Sequence, residues 1–209
     1  MHAVGCRGRD IFVAVTAANV EREPLGLGNV WPKTVIPSGT DTAVKDISNT
    51  PYNNSSDYFY DLYDGENVGR SGHYPYVRVF DYSKLAGAGI PAKAGSCKLE
   101  AKNNMWIIAA NITEADDPRI PVLISRNVDV KEFERIVNKG LKKSEFRKRV
   151  KFNKMFDEPF QEEAYVIICK DGSILYSRGW FKKNMGDLFD HKELPPRDPA
   201  KPPIVYLMP

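Results

Sequence analysis

Two apolar runs, Ala164–Cys169 and Ile174–Ser177, flank the tetrapeptide Lys170-Asp171-Gly172-Ser173. An Asp-Gly pair between short apolar runs supplies the positive φ that a tight antiparallel turn requires. This hairpin commits the C-terminal half of the chain to antiparallel sheet. Met105–Asn111 (MWIIAAN) and Pro121–Ser125 (PVLIS) add two further strands, rich in β-branched and aromatic residues.

Helices surround these strands. Asp10 reads as an N-cap for a helix over Ile11–Glu21, stopped by Pro24 and by Gly26 and Gly28. Ile11, Val15, Ala18 and Arg22 share one face, which Phe12 and Ala14 widen, so this helix is fit to cover a sheet. Residues 25–51 read as a long irregular loop pinned by Trp31, and Trp106 is a second candidate anchor. A second helix runs from Ser55 or Ser56 to Tyr63, with Gly65 as its stop, and Phe80–Pro91 reads as one capped helical turn after Asp81. Asp129 and Glu132 have the spacing of a capping box for a helix over Val130–Lys139, closed by Gly140. From Leu194 onward six of 16 residues are proline, the composition of a tail on the surface or frayed. The expected organisation is one α+β domain over residues 1–193 and a Pro-rich tail over 194–209. There is no internal repeat and no regular βα alternation.

Composition narrows the class. At 42% hydrophobic and 27% charged residues the chain is neither disordered nor fibrous, and 209 residues suffice for a core without disulfides. No run of 18 apolar residues occurs, and Ile11–Val20, the longest apolar-rich stretch, has no clear cleavage site after it. Cys6, Cys97 and Cys169 lack the spacing of a metal site; buried free thiols are the preferred reading over a Cys97–Cys169 bridge.

Charge is concentrated in Lys139–Lys154, where Lys139, Lys142, Lys143, Arg147, Lys148, Arg149, Lys151 and Lys154 face only Glu145. This is a local +7 in a chain of net +3, so the remainder is −4. Lys142, Lys143, Arg147, Lys148, Arg149 and Lys151 are the candidate interaction surface. A phosphate-binding surface and a contact with an acidic neighbouring subunit both fit such a run. A solvated face balanced by Asp157, Glu158, Glu162 and Glu163 is preferred, and no nucleic acid is expected. Asp116-Asp117 and Asp187 with Asp190 read as solvated loop carboxylates, since no calcium loop is present. His2, His73 and His191 are scattered, and no nucleophile signature accompanies them. LAGAG is not a dinucleotide fingerprint, and the sequons at Asn53, Asn54 and Asn111 are chance motifs. The aromatic residues of Tyr52–Tyr82 offer a sugar- or peptide-binding face as an alternative, with core packing as the default. No catalytic constellation, cofactor site or metal site stands out, and an enzyme is disfavoured.

Several blocks, taken in order, carry a resemblance: Gly8-Arg9-Asp10 with IFVAVTAANVEREPLGL (11–27), VWPK (30–33), SSDYFYDLYD (55–64), FDYSKLAGAGIP (80–91), NNMWIIAAN (103–111) and PVLISRNVD (121–129). Together they resemble the soluble part of type IV pilin-like proteins, the type II secretion pseudopilins of the major, G-type subclass. The resemblance implies an N-terminal helix packed on a small antiparallel sheet, with a long variable loop between them. It also implies stacking with other pseudopilin subunits and secretion-apparatus proteins into a short periplasmic fibre for protein export, with no active site. Such proteins begin with a leader and about 20 apolar residues. On this resemblance, the membrane half of the first helix is missing, by truncation or a misplaced start codon, and the remaining chain is a monomer in solution. Family members of this subclass bind calcium near the C-terminus, but no ligand positions carry over to this sequence.

Overall fold

The computed structural model describes residues 2–36, 46–63, 99–153, 155, 160, 164–178 and 184–209. Four α-helices and five strands are formed among them: α1 (His2–Arg22), α2 (Ser55–Tyr63), β1 (Trp106–Ala110), β2 (Pro121–Ser125), α3 (Lys131–Lys139), β3 (Ala164–Cys169), β4 (Ile174–Arg178), α4 (Met185–Leu188) and β5 (Val205–Leu207). The strands make one antiparallel sheet in the order β4-β3-β2-β1-β5. The α+β expectation holds at this level.

The sheet is covered on both faces, which explains why β1, β2 and β3 are buried throughout and do not alternate. Trp106, Ile108, Leu123, Val166 and Ile168 pack against α1 and α2. Ile107, Ala109, Ile124, Tyr165 and Ile167 face the other way, onto Phe133, Ile136 and Val137 of α3 and Met185 and Leu188 of α4. The sheet therefore separates two helical layers.

The expected hairpin is present, with Gly172 at φ +79° in its turn. In α1 the expected face is the buried one: Ile11, Ala14, Val15, Ala18 and Arg22. The helix starts nine residues earlier than the Asp10 cap implied, so Asp10 is an exposed interior residue. Its extra turns carry Gly5 and Gly8, which serve close packing. A Cβ at Gly8 would lie 2.6 Å from Cη2 and 2.9 Å from Cζ2 of Trp106. Beyond α1, Pro24 lies in a 3-10 turn and Gly26, at φ +68°, ends it. The capping box at Asp129 is not formed: Asp129 accepts the Lys131 N–H at 3.1 Å, while Glu132 turns to Arg135 and Lys148.

The C-terminal expectation is corrected. Residues 194–209 are not a loose tail, because β5 pairs with β1 through Leu207, Tyr206 and Val205. Leu194, Ile204, Tyr206 and Leu207 are all buried. The segment is tied to α3 as well: Ile204 N–H donates to Asn138 Oδ1 at 2.9 Å, and Tyr206 N–H donates to Glu134 Oε1 at 2.8 Å. The prolines sit outside the three paired residues, where a missing N–H costs no ladder bond. The final residues thus share their cores with the described residues that precede them. Gly65 and the Phe80–Pro91 turn lie outside the described residues.

Two substitutions test this packing. Ala in place of Gly in a helix ordinarily gains up to about 1 kcal/mol. Gly8→Ala is instead expected to destabilise by roughly 1–3 kcal/mol in urea unfolding, because the fully buried Trp106 ring has no room to yield. Tyr206→Ala is expected to cost about 3–5 kcal/mol, and a frayed C-terminus would instead leave the unfolding midpoint unchanged.

Candidate functional site

The basic strap, residues 142–151, crosses the α3 side of the molecule. Its backbone is fixed at several points. Lys143 N–H donates to Glu193 Oε1 at 3.2 Å, Met185 N–H to the Lys148 carbonyl at 2.7 Å, and Asp129 N–H to the Lys151 carbonyl at 2.9 Å. Val150 turns into the core. Lys142, Lys143, Arg147, Lys148, Arg149 and Lys151 all remain exposed, so all six candidate cations lie on one solvated strap.

One of the six is committed to a local network. Lys148 Nζ lies 2.9 Å from Glu145 Oε1 and 3.0 Å from Glu132 Oε1, and Arg135 reaches both carboxylates at 2.7 Å. The hydrogen bonds it donates to Glu145 and then Glu132 hold the Lys148 ammonium above its ordinary pKa. Partial burial pushes Glu132 up, but Arg135 and Lys148 outweigh it and hold the carboxyl below its usual range. This four-charge set clips α3 to the strap. Lys154 and the acidic residues Asp157, Glu158, Glu162 and Glu163 lie outside the described residues. Among those described, the balancing carboxylates are Glu132, Glu145 and Glu193.

Away from the strap, α1, the loop after it and the turn after β1 border a groove of about 520 Å³. Phe12, Val20, Leu27, Trp31 and Ile112 supply its apolar wall, and Glu23 and Glu114 stand at its rim. Trp31 is half-buried, with its ring centroid 6.1 Å from that of Phe12, and packs against the core on both sides of the sheet. Trp106 is no loop residue: it opens β1 and is fully buried beneath Gly8. Lys170 also lines the groove, but its ammonium is turned onto the Glu114 and Asp116 carbonyls, each at 2.6 Å. Glu21, Glu23 and Glu114 are exposed and form no ion pair among the described residues.

Most other polar candidates act as structural ties. Asp116, expected in solvent, is buried against Arg197 at 2.5 Å, with side-chain exposures of 6% and 5%. Burial alone would raise its pKa. The Arg197 hydrogen bond and the Thr113 N–H at 2.7 Å prevail and hold the carboxyl below its ordinary value. Asp117 is held down chiefly by its hydrogen bond to Arg119 at 2.7 Å. Asp187 is likewise no free loop carboxylate: it caps α4 through the Asn184 N–H at 3.3 Å and lies 3.0 Å from His191 Nε2.

Asn111 is a junction that sequence reading passed over. At φ +65° it ends β1, and its amide donates to Thr34 Oγ1 at 2.8 Å and to the Pro203 carbonyl at 2.7 Å. Its amide oxygen accepts the Thr34 N–H at 3.0 Å, and its backbone carbonyl accepts from Arg197 at 2.7 Å. Its place immediately after an apolar strand was the available signal, since Asn tolerates the left-handed region better than most residues. Asn104 does similar work: its side chain donates to Ser55 Oγ at 2.8 Å and accepts the Trp106 N–H at 2.9 Å. Arg126 donates to the carbonyls of Ala101, Lys102 and Asn104.

Tyr52, Tyr58 and Phe59 are core residues, with ring centroids 5.2–5.3 Å apart in successive pairs. The aromatic residues from Tyr74 to Tyr82 lie outside the described residues, as do His73, LAGAG and Cys97. Cys169 is a buried free thiol and Cys6 an exposed one. Burial pushes the Cys169 thiol up to about 12. Among the described residues no three His, Cys, Asp or Glu side chains gather as a metal site, and no helix is long and apolar enough to cross a membrane. No protein-family model matches the chain, and no curated protein or solved structure shows significant similarity to it.

The Asp116–Arg197 pair sets an acid-stability expectation. A carboxyl whose folded pKa is depressed contributes stability that is complete above its unfolded value near 3.9 and is lost as the pH falls through the folded value. Asp116→Asn leaves a buried guanidinium without its counter-charge and is expected to cost about 3–5 kcal/mol in urea unfolding at pH 7. The difference between parent and variant is expected to shrink as the pH is lowered from about 5 to 2. A constant difference would remove the ion pair as the cause.

Proposed function

We propose that this chain is a structural assembly subunit of the type II secretion pseudopilin kind and performs no catalysis. In this reading it stacks with other pseudopilin-type subunits and secretion-apparatus proteins at the periplasmic face of the cell envelope, in a fibre that works in protein export. The supporting observation is α1. Its inner face is packed on an antiparallel sheet, while Val13 and Val20 on its outer face are 53% and 64% exposed. Ala17, also exposed, completes a stripe at i, i+4 and i+7. An apolar stripe on a long helix already seated on a sheet suits side-by-side contact with another subunit.

The use of polar side chains agrees with a structural role. The blocks that carry the resemblance meet one another through hydrogen bonds: Ser55 and Asn104 at the start of β1, Asn19 with Val30 at 2.7 Å, and Asn111 with Pro32 at 2.9 Å. Subunits related by a rotation that does not close build a helical fibre, and such a fibre needs a rigid body with a fixed helix direction.

The reading is tested in the cell envelope of the native organism. A photo-cross-linking residue at Val13 or Val20 is expected to give a ladder of multimers of this chain on denaturing gels. Cross-linking confined to the monomer, with the chain found only in the soluble fraction, would reject the proposal.

A further inference from the structure

We propose that the basic strap of one copy docks into the α1 groove of the next, so that the two helical layers of the fold are the two halves of a head-to-tail contact. This names the surfaces for the assembly reading and rests on it. Three observations converge. The strap is an exposed concentration of positive charge in a chain whose remainder is negative, with Arg147, Arg149 and Lys151 all exposed. The groove carries Glu23 and Glu114 at its rim, neither of them in an ion pair among the described residues, and its single lysine donates to the backbone carbonyls of Glu114 and Asp116. Met155, four residues beyond Lys151, is the most exposed large apolar residue among those described, at 83%. The groove offers Phe12, Val20 and Trp31 as an apolar seat of matching character.

The occupant is therefore a basic segment bearing one flexible apolar side chain, and this chain supplies such a segment. Methionine suits a shallow aromatic seat because its thioether is polarizable and its side chain unbranched. The strap packs on the α3 side and the groove runs along α1, and among the described residues no hydrogen bond or ion pair joins the two within one copy. A pair of copies joined this way keeps one strap and one groove unused. The contact is heterologous and propagates, unlike a two-fold dimer that consumes both surfaces at once. Its pairs sit at an exposed rim, so the contact is weak in isolation and sensitive to salt.

The test uses charge exchange between copies. One variant reverses the groove, Glu23→Lys with Glu114→Lys; the other reverses the strap, Arg147→Glu with Lys151→Glu. All four positions are exposed and lie outside the ion pairs that hold the fold. Circular dichroism and thermal melting verify that each variant folds. In sedimentation velocity at up to about 1 mM protein, the range in which weak contacts populate, the parent is expected to associate at about 0.01 M salt. It is expected to separate at about 1 M, where the Debye length has fallen from roughly 30 to 3 Å. Each variant alone is expected to lose about tenfold in association, and their equimolar mixture to recover it, since each groove then meets a strap of opposite sign.

Zero-length carbodiimide coupling of a mixed-isotope sample is expected to join Glu23 or Glu114 of one copy to Lys142 or Lys151 of another. Met155→Glu is expected to weaken association by a similar factor. Variants that associate like the parent, or a mixture that fails to recover, would overturn the inference. Envelope ladders through Val13 without any Glu–Lys coupling would overturn this contact and leave the assembly reading standing. Absence of both would remove the two together.

Discussion

The fold depends on one buried charge pair far apart in sequence. Asp116 follows β1 and Arg197 precedes β5, and their contact fixes where the chain must pass on its way back to the sheet. Arg197 also donates to the Asn111 carbonyl, so a single guanidinium secures both the acidic turn and the end of β1. Such a pair adds little net stability over a well-packed apolar substitute, because both charges lose water. Its effect is on uniqueness: any path of the last residues that separates the two groups strands a buried charge. The pair and the short β5 ladder hold the same stretch of chain against the end of β1.

The same logic extends through the molecule at lower cost. Asn104, Asn111 and Arg126 each sit at or near a strand end, and their side chains satisfy backbone groups there: one for Asn104, two for Asn111 and three for Arg126. Arg22 joins the end of α1 to Asp46 at 2.7 Å and to the Gly28 carbonyl at 2.8 Å, closing the long loop onto the helix it leaves. Polar side chains used in this way are unavailable for chemistry. Solvated charge remains on the strap and around the groove.

Elements whose identity rests on local physics were legible in the sequence. The Asp-Gly hairpin, the apolar strands and the buried stripe of α1 follow from backbone preference and periodicity, and each stands where its residues placed it. Features fixed by distant partners were not. Gly5 and Gly8 look like poor helix residues until Tyr176 and Trp106 are set against them. The prolines of 195–203 look like a tail until Arg197, Asn138 and Glu134 take up the chain between and after them. Glu132 has the spacing of a cap, but two cations reached it from Arg135 and Lys148. Of the candidate site, the strap was visible as a run of like charge. The groove was invisible, since its walls come from α1, the loop at Trp31 and the turn after β1.

The manner in which α3 meets β5 has a consequence for the sheet as a whole. A border strand ordinarily presents a row of open donors and acceptors, a template on which a foreign strand can grow. Here the donors of Ile204 and Tyr206 are already answered by Asn138 and Glu134, and the Ile204 acceptor by the Asn138 amide at 2.8 Å. Pro202, Pro203 and Pro209 flank the strand without any N–H to offer. This border is sealed by side chains, as a hem is stitched to stop a weave from unravelling or taking up new thread. A strand meeting these residues finds those backbone groups already occupied.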